Sequence, residues 1–311
     1  MVDIEAGADQ MRREQAGANK IVRKRKLTLS DRLLYAMILV IGILAGQSMG
    51  APIQGTSMET VQETTLSGTV TMAGSTSMET FVNALAEGFM NRYPQVIVTA
   101  EFTGSSAGIE AVLAGSVDIG NSSRRLRAEE KAAGAVEHVV ALDGIVVVTD
   151  ADNFVRELTK EQLGEIYQGN IRNWRQVGGT DTAIVVVGRE AGSGTRETFE
   201  AFLGLEDTCA YANELHSTGA VMARVSSTPG AIGYVSFEVL DDTVSVVAID
   251  GVMPTEEAIR EGLYRLSRPY VMVTKGELEK QCETVREFFL YLDAEEGRSL
   301  LRRAGGILPD E

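Results

Sequence analysis

From Ser67 onward the chain alternates short apolar runs with amphipathic stretches. That alternation narrows the fold more than any other feature, because strands separated by helices pair most readily as an α/β structure with mainly parallel sheets. "GTVTMAG" is expected to be a strand, and the stretch from about Met78 to Arg92 a helix with Phe81, Leu85 and Phe89 on one face. "YPQVIVTAEF" and "VDIG" are further strands around the helix "IEAVLAG". "HVVALDGIVVVT" is a long strand expected to break at Asp143 and Gly144, and "LTKEQLGEIYQG" is helical. Trp174 reads as a packing residue. No internal repeat interrupts the pattern.

The ends of these strands repeat one chemical device. "GSTS", "TGSSAG" and "GREAGSGT" each deliver small hydroxyl residues and glycine to the start of a helix. In the third, Gly192 and Gly194 let the backbone come close, and Ser193 and Thr195 offer hydroxyls. The helix starting near Arg196 points its free N–H groups at the loop. Each loop alone is an ordinary cap. Together with "NSSR", which holds Ser122, Ser123 and Arg124, they suit one shared oxyanion, because ligands of open α/β sheets collect at the carboxyl ends of strands. A Walker loop is excluded, since no lysine precedes Thr195, and no G-x-G-x-x-G follows a strand.

The 311 residues carry a net charge of -15, which opposes binding to nucleic acid or to an anionic membrane surface. A small anion must therefore be held by local dipoles and hydrogen bonds. The two histidines, His138 and His216, are isolated, and Cys209 and Cys282 lack metal-ligand spacing, so no metal or other cofactor is expected. The cysteines either pair, in an oxidising compartment, or remain thiols. Before the α/β region, "KIVRKRK" precedes the apolar stretch Leu33 to Gly50. This order predicts a cytoplasmic tail (1–32), a signal peptide or membrane anchor (33–50) and a polar linker (51–66), with the remainder extracytoplasmic. "LAGQ" resembles a lipoprotein signal with Gln47 in place of cysteine, so lipid has no acceptor there. An uncleaved anchor and a secreted form are both open.

The motifs "AGSTSM", "FTGSSAGIEAVLAGSVDIGNSSR", "ALDGIVVV", "GNIRNW", "VVGREAGSGTRETFE" and "GAIGYVS" resemble, in this order from about Thr69 to Gly305, the phosphate-binding proteins of Pst-type ABC transporters. The resemblance implies a two-lobed, type II periplasmic-binding fold with the ligand cleft between lobes. It places 67–143 and 231–311 in lobe 1 and 144–230 in lobe 2. It also implies a phosphate site made of Thr76, Ser77, Ser105, Ser123, Arg124, Asp143, Arg189, Ser193, Gly194 and Thr195. Some family members carry an acidic residue where this chain has Ser123, and another where it has Ala191. The role of accepting a hydrogen bond from phosphate then falls to Asp143, and adjacent Glu190 is the available partner to orient Arg189. Asp118, the rival carboxylate, is expected to hold a turn.

The implied function is capture of inorganic phosphate and its delivery to a permease. A membrane-anchored phosphate sensor or surface protein uses the same site differently. A serine hydrolase or phosphatase is disfavoured, because "GSGT" is not a nucleophile elbow and no base or metal cluster is visible.

Overall fold

A computed structural model describes residues 66–308. The expected tail, the apolar segment and nearly all of the linker lie outside the described residues. Among the described residues no helix is long and apolar enough to cross a membrane. Cys209 and Cys282 are both free thiols.

The fold is mixed α/β. The first strands are β1 (Ser67–Gly74), β2 (Gln95–Glu101) and β3 (Ile119–Ser122), with helices α1 (Glu79–Arg92), α2 (Ser105–Ala114) and α3 (Ala128–Ala132) between and after them. Strand β1 lies parallel to both β2 and β3. A long strand, β4 (Ala135–Asp150), follows, then β5 (Glu157–Leu158), α4 (Lys160–Tyr167), β6 (Val185–Arg189), α5 (Gly194–Leu203), β7 (Asn213–Leu215), α6 (Thr218–Ser226) and β8 (Ala231–Ser236). The chain ends through β9 (Val244–Val246), β10 (Ala248–Ile249), α7 (Glu256–Arg260), β11 (Ser267–Lys275), α8 (Glu283–Asp293) and α9 (Glu295–Arg303). The main sheet runs β2-β1-β3-β11-β4-β8-β6-β7, with β9 also beside β4, and β10 pairs with β5 apart from it.

Parallel pairing holds toward both ends of this sheet and gives way to antiparallel pairing at its middle. There β11 runs against β3 and β4, and β4 runs against β8. Strand β4 does not break at Asp143 and Gly144. It changes partner there: up to Gly144 it pairs with β11, and from Ile145 with β8.

The core divides at the same point. Phe81, Leu85 and Phe89 of α1 pack with Val140, Tyr270, Met272 and Phe288 on one side. On the other side, Ile145 and Val147 face Tyr167, Trp174 and Phe199, while Val146 and Val148 face Val187 and Val221. Successive residues of this part of β4 thus serve opposite faces, as the two-residue period of a strand requires, and both faces are covered. Trp174 is buried, and its indole N–H donates to the Gly230 carbonyl at 2.9 Å. Ile232, Tyr234, Val244, Ile249, Ile259 and Leu266 also belong to these second clusters. The segment 231–266, expected with lobe 1, therefore packs with the second region, and the chain returns to the first only at β11. Apolar surface decides this, since β8 adds its buried face to the strand it pairs with.

Candidate functional site

The strand pairings bring the ends of β1, β3 and β8, the start of β11 and the partner-change point of β4 to one level. The end of β6 comes alongside through its parallel pairing with β8. The hydroxyl loops therefore converge between the two packing regions.

Ser75, Thr76, Ser77, Ser105, Ser123, Ser193, Thr195 and Thr218 are all buried there. The Ser75 hydroxyl lies 2.9 Å from that of Ser77 and donates to that of Ser123 at 2.9 Å. Ser123 continues the chain to the Ser105 hydroxyl at 3.3 Å. Such hydroxyls can turn to donate or accept as a ligand requires.

From the second region, Gly194 faces Ser105 and Ser123. A Cβ at Gly194 would stand 2.5 Å from the Ser105 hydroxyl and 3.0 Å from that of Ser123, so only glycine permits the approach. The first turn of α5 also leaves backbone N–H groups at Gly194 and Thr195 without helical partners. Ser193 is the N-cap of this helix, its hydroxyl accepting from the Arg196 N–H at 3.3 Å. Thr76 meets Thr218 across the same seam, hydroxyl to hydroxyl at 3.4 Å.

Two arginines serve the cluster. Arg189, 1% exposed, donates from Nη1 to the Thr218 hydroxyl at 3.0 Å. Its other edge is held by Glu190, with Nε and Nη2 at 2.9 and 2.8 Å from the two carboxylate oxygens, the fork geometry that fixes an arginine most firmly. Glu190 thus takes the orienting place left by Ala191. The second arginine is Arg268, which sequence reasoning missed. It donates to the Thr195 hydroxyl at 2.8 Å, to the Ser77 hydroxyl at 3.2 Å and to the Ser123 carbonyl at 3.2 Å. The available signal was a charged residue near the head of the mostly apolar strand "RPYVMVT", since a buried arginine must be paired. Thr218 was legible too, in a fourth loop that brings hydroxyl residues and glycine to the start of a helix, "HSTGAV".

Two of the expected site residues, Asp143 and Arg124, have their polar atoms engaged within the protein. Asp143 does not present an open acceptor. Its Oδ1 accepts from the Ser236 hydroxyl at 2.7 Å and the Phe237 N–H at 3.1 Å, and its Oδ2 accepts from Arg268 Nε and Nη2 at 2.9 and 2.8 Å. Four donors meet the capacity of a carboxylate. Arg124 is turned to carboxylates: Nη1 and Nη2 meet Glu130 at 2.9 and 2.7 Å, and Nε lies 2.8 Å from Glu197. It touches the cluster's edge only through Ser106, at 3.3 Å. Asp118 accepts from the Thr71 N–H and hydroxyl at 2.8 Å each, which ties the segment before β3 to the middle of β1 rather than closing a turn. Glu238, beside Asp143, is pushed up to about 9, by burial first and by the Asp143 charge second.

The arrangement is a closed shell of hydroxyls and helix-start amides with two guanidinium groups, suited to hold a small tetrahedral oxyanion. The serine hydroxyls bond to one another and to backbone or arginine donors. No group of three or more potential metal ligands occurs among the described residues.

Comparison with known proteins gives this arrangement its class. Residues 59–294 match the family model described as a PBP superfamily domain. The phosphate-binding protein PstS of Bacillus subtilis is 34% identical over 295 residues, covering 93% of this chain and 95% of that protein. A Clostridium perfringens protein described as a phosphate ABC transporter substrate-binding protein, solved with bound phosphate, is 37% identical with a TM-score of 0.75. The match covers 78% of this chain and all of that one. An ABC-type phosphate transport receptor of Vibrio cholerae is 34% identical with a TM-score of 0.67, over 77% of this chain and 100% of that chain. The chain belongs to the PBP superfamily and, within it, to the family of the PstS phosphate-binding proteins.

Proposed function

We propose that this chain is an extracytoplasmic solute-binding protein that captures inorganic phosphate and passes it to the permease of an ABC transporter. The observation that carries the reading is the convergence of Ser77, Ser105, Ser123, Thr195 and Thr218 with Arg189 and Arg268 in one buried seam between two packing regions. The names borne by the relatives supply the ligand.

In this reading the two regions are lobes. Residues 67–143 and 267–303 form one and 144–266 the other, and closure brings Gly194 and Thr195 down on Ser105 and Ser123. The ligand's oxygens take hydrogen bonds from the hydroxyls, from the first N–H groups of α5 and from the free edge of Arg189, while Arg268, whose donors go to Asp143, Ser77, Ser123 and Thr195, holds the hydroxyls in place. Thr76, Ser193 and Gly194 complete the shell. Asp143 serves by aiming Arg268, and Arg124 by fastening the first region to Glu197 on α5. The segment 33–50 exports the domain and either anchors it or is removed.

The chemistry is binding without turnover, since donors are plentiful and, among the described residues, none of the Ser77, Ser105, Ser123, Ser193 and Thr195 hydroxyls bonds a carboxylate or a histidine. Equilibrium dialysis of the full chain against labelled phosphate tests the reading. One phosphate retained per chain, with no phosphate released from added esters, supports it; release in proportion to protein would overturn it in favour of hydrolysis.

A further inference from the structure

One buried group next to the cluster has no part in the scheme above. Glu238 lies in the single turn Phe237–Val239 that follows β8. Both of its carboxyl oxygens are shut from solvent and lack a hydrogen-bond partner among the described residues. The turn is tied to the site, because the Phe237 N–H donates to Asp143 at 3.1 Å. It is sealed on another side by the turn after α9, where a Cβ at Gly305 would stand 3.1 Å from that of Glu238.

The groups that face Glu238 leave little room for a second negative charge. They are Asp143 on β4, Arg268 and Tyr270 on β11, and Glu79 and Thr80 at the start of α1. Arg268 is the one cation among them, and two of its nitrogens already bond Asp143. An ionised Glu238 would therefore be an unpaired buried charge close to an arriving anion, and both effects favour the neutral acid.

We propose that Glu238 carries a proton in the closed protein and that capture of the anion is coupled to that proton, so that binding in alkaline solution takes a proton up. The proposal rests on the reading of the cluster as a phosphate site.

The sign follows from linkage. Burial and Asp143 already hold the group up to about 9 without ligand, and a bound dianion raises it further. Affinity is then complete below about 9 and falls above it, by on the order of tenfold per pH unit until the bound form also ionises. Inorganic phosphate is already a dianion throughout that range, so its own titration does not mimic the effect.

Calorimetric titration of the full chain with inorganic phosphate at pH 7.5, 9 and 10 tests this, run at the two higher values in two buffers of different ionisation enthalpy. The wild type should bind with unchanged affinity from pH 7.5 to about 9, weaken on the order of tenfold by pH 10, and show proton uptake in the buffer comparison. Glu238→Gln should match the wild type at pH 7.5 and hold that affinity at pH 10. Zero proton uptake by the wild type at pH 10, or an equal decline in both proteins, would overturn the coupling. The buffer comparison needs no variant, so it decides the matter even if Glu238→Gln fails to fold. Absence of phosphate binding at pH 7.5 would instead overturn the ligand reading. Carboxyl carbon NMR of the free wild type would then still show whether Glu238 titrates near 9 or in the ordinary carboxylate range, the latter contradicting the protonated site.

Discussion

Arg268 and Asp143 stand opposite each other in the β4–β11 ladder, and two nitrogens of the arginine, at 2.9 and 2.8 Å, bond one carboxylate oxygen. The pair sits where β4 changes partner, so the element that joins the two packing regions also aims a guanidinium at Ser77 and Thr195.

Replacing Arg268 by Gln should weaken phosphate binding more than replacing Arg124 by Gln. A charged hydrogen bond contributes about 1.5 to 3 kcal/mol, and Arg268 makes its bonds inside the cluster while Arg124 makes most of its own to Glu130 and Glu197. Titration of both variants with labelled phosphate checks the order. Equal losses would put Arg124 among the ligands after all.

Asp143→Asn should reduce both stability and affinity. The substitution removes a buried partner and leaves Arg268 uncompensated, which costs about 3 to 5 kcal/mol, and it frees the guanidinium from its aim. Urea unfolding followed by phosphate titration measures the two effects. An Asp143→Asn protein that kept phosphate affinity but gained sulfate binding would restore the acceptor role expected from sequence.

Gly194→Ala should abolish tight binding while leaving the fold in place. Its methyl group would enter the space of the Ser105 and Ser123 hydroxyls, holding the two regions apart at the point where they close. Thermal unfolding should shift little, and phosphate affinity should fall by on the order of a hundredfold, as the loss of two or more hydrogen bonds requires.

Much of this was legible in the residues. The strand and helix alternation follows from hydrophobic period alone, and three hydroxyl loops announced themselves by position at strand ends. What was not legible came from pairing between distant segments. The wholly apolar "GIVVV" gives no sign that β4 runs unbroken past Asp143, because the change of partner depends on β11 and β8, more than 80 residues further on. Asp143 looked free because its four donors lie in Ser236, Phe237 and Arg268. Arg124 looked available because a motif shows neither Glu130 nor Glu197 folding back onto it. The packing of residues 231–266 with the second clusters is likewise hidden in the sequence, because the position of β8 is decided by which half of β4 it joins.

Glu238→Gln should stabilise the protein increasingly as pH rises from about 5 to 8. In the wild type the folded protein holds its proton up to about 9, whereas the unfolded chain releases it near the ordinary carboxylate value. The wild type therefore loses stability through this interval, at up to about 1.4 kcal/mol per pH unit, and levels off beyond it. Urea midpoints of both proteins at pH 5, 6.5 and 8 measure the gap. A gap that stays constant with pH would contradict a protonated Glu238.

The most direct measurement is competition on the full chain at pH 7.5, with labelled phosphate bound and unlabelled phosphate or sulfate added, on the wild type and on Thr195→Val. The wild type should hold one phosphate, exchanged by unlabelled phosphate and little affected by equal sulfate, as the phosphate reading requires. Thr195→Val should bind phosphate at least about tenfold more weakly, since its hydroxyl and its hold on Arg268 are lost together. Equal displacement by sulfate, or phosphate binding unchanged in Thr195→Val, would contradict the assignment of this cluster as the phosphate site.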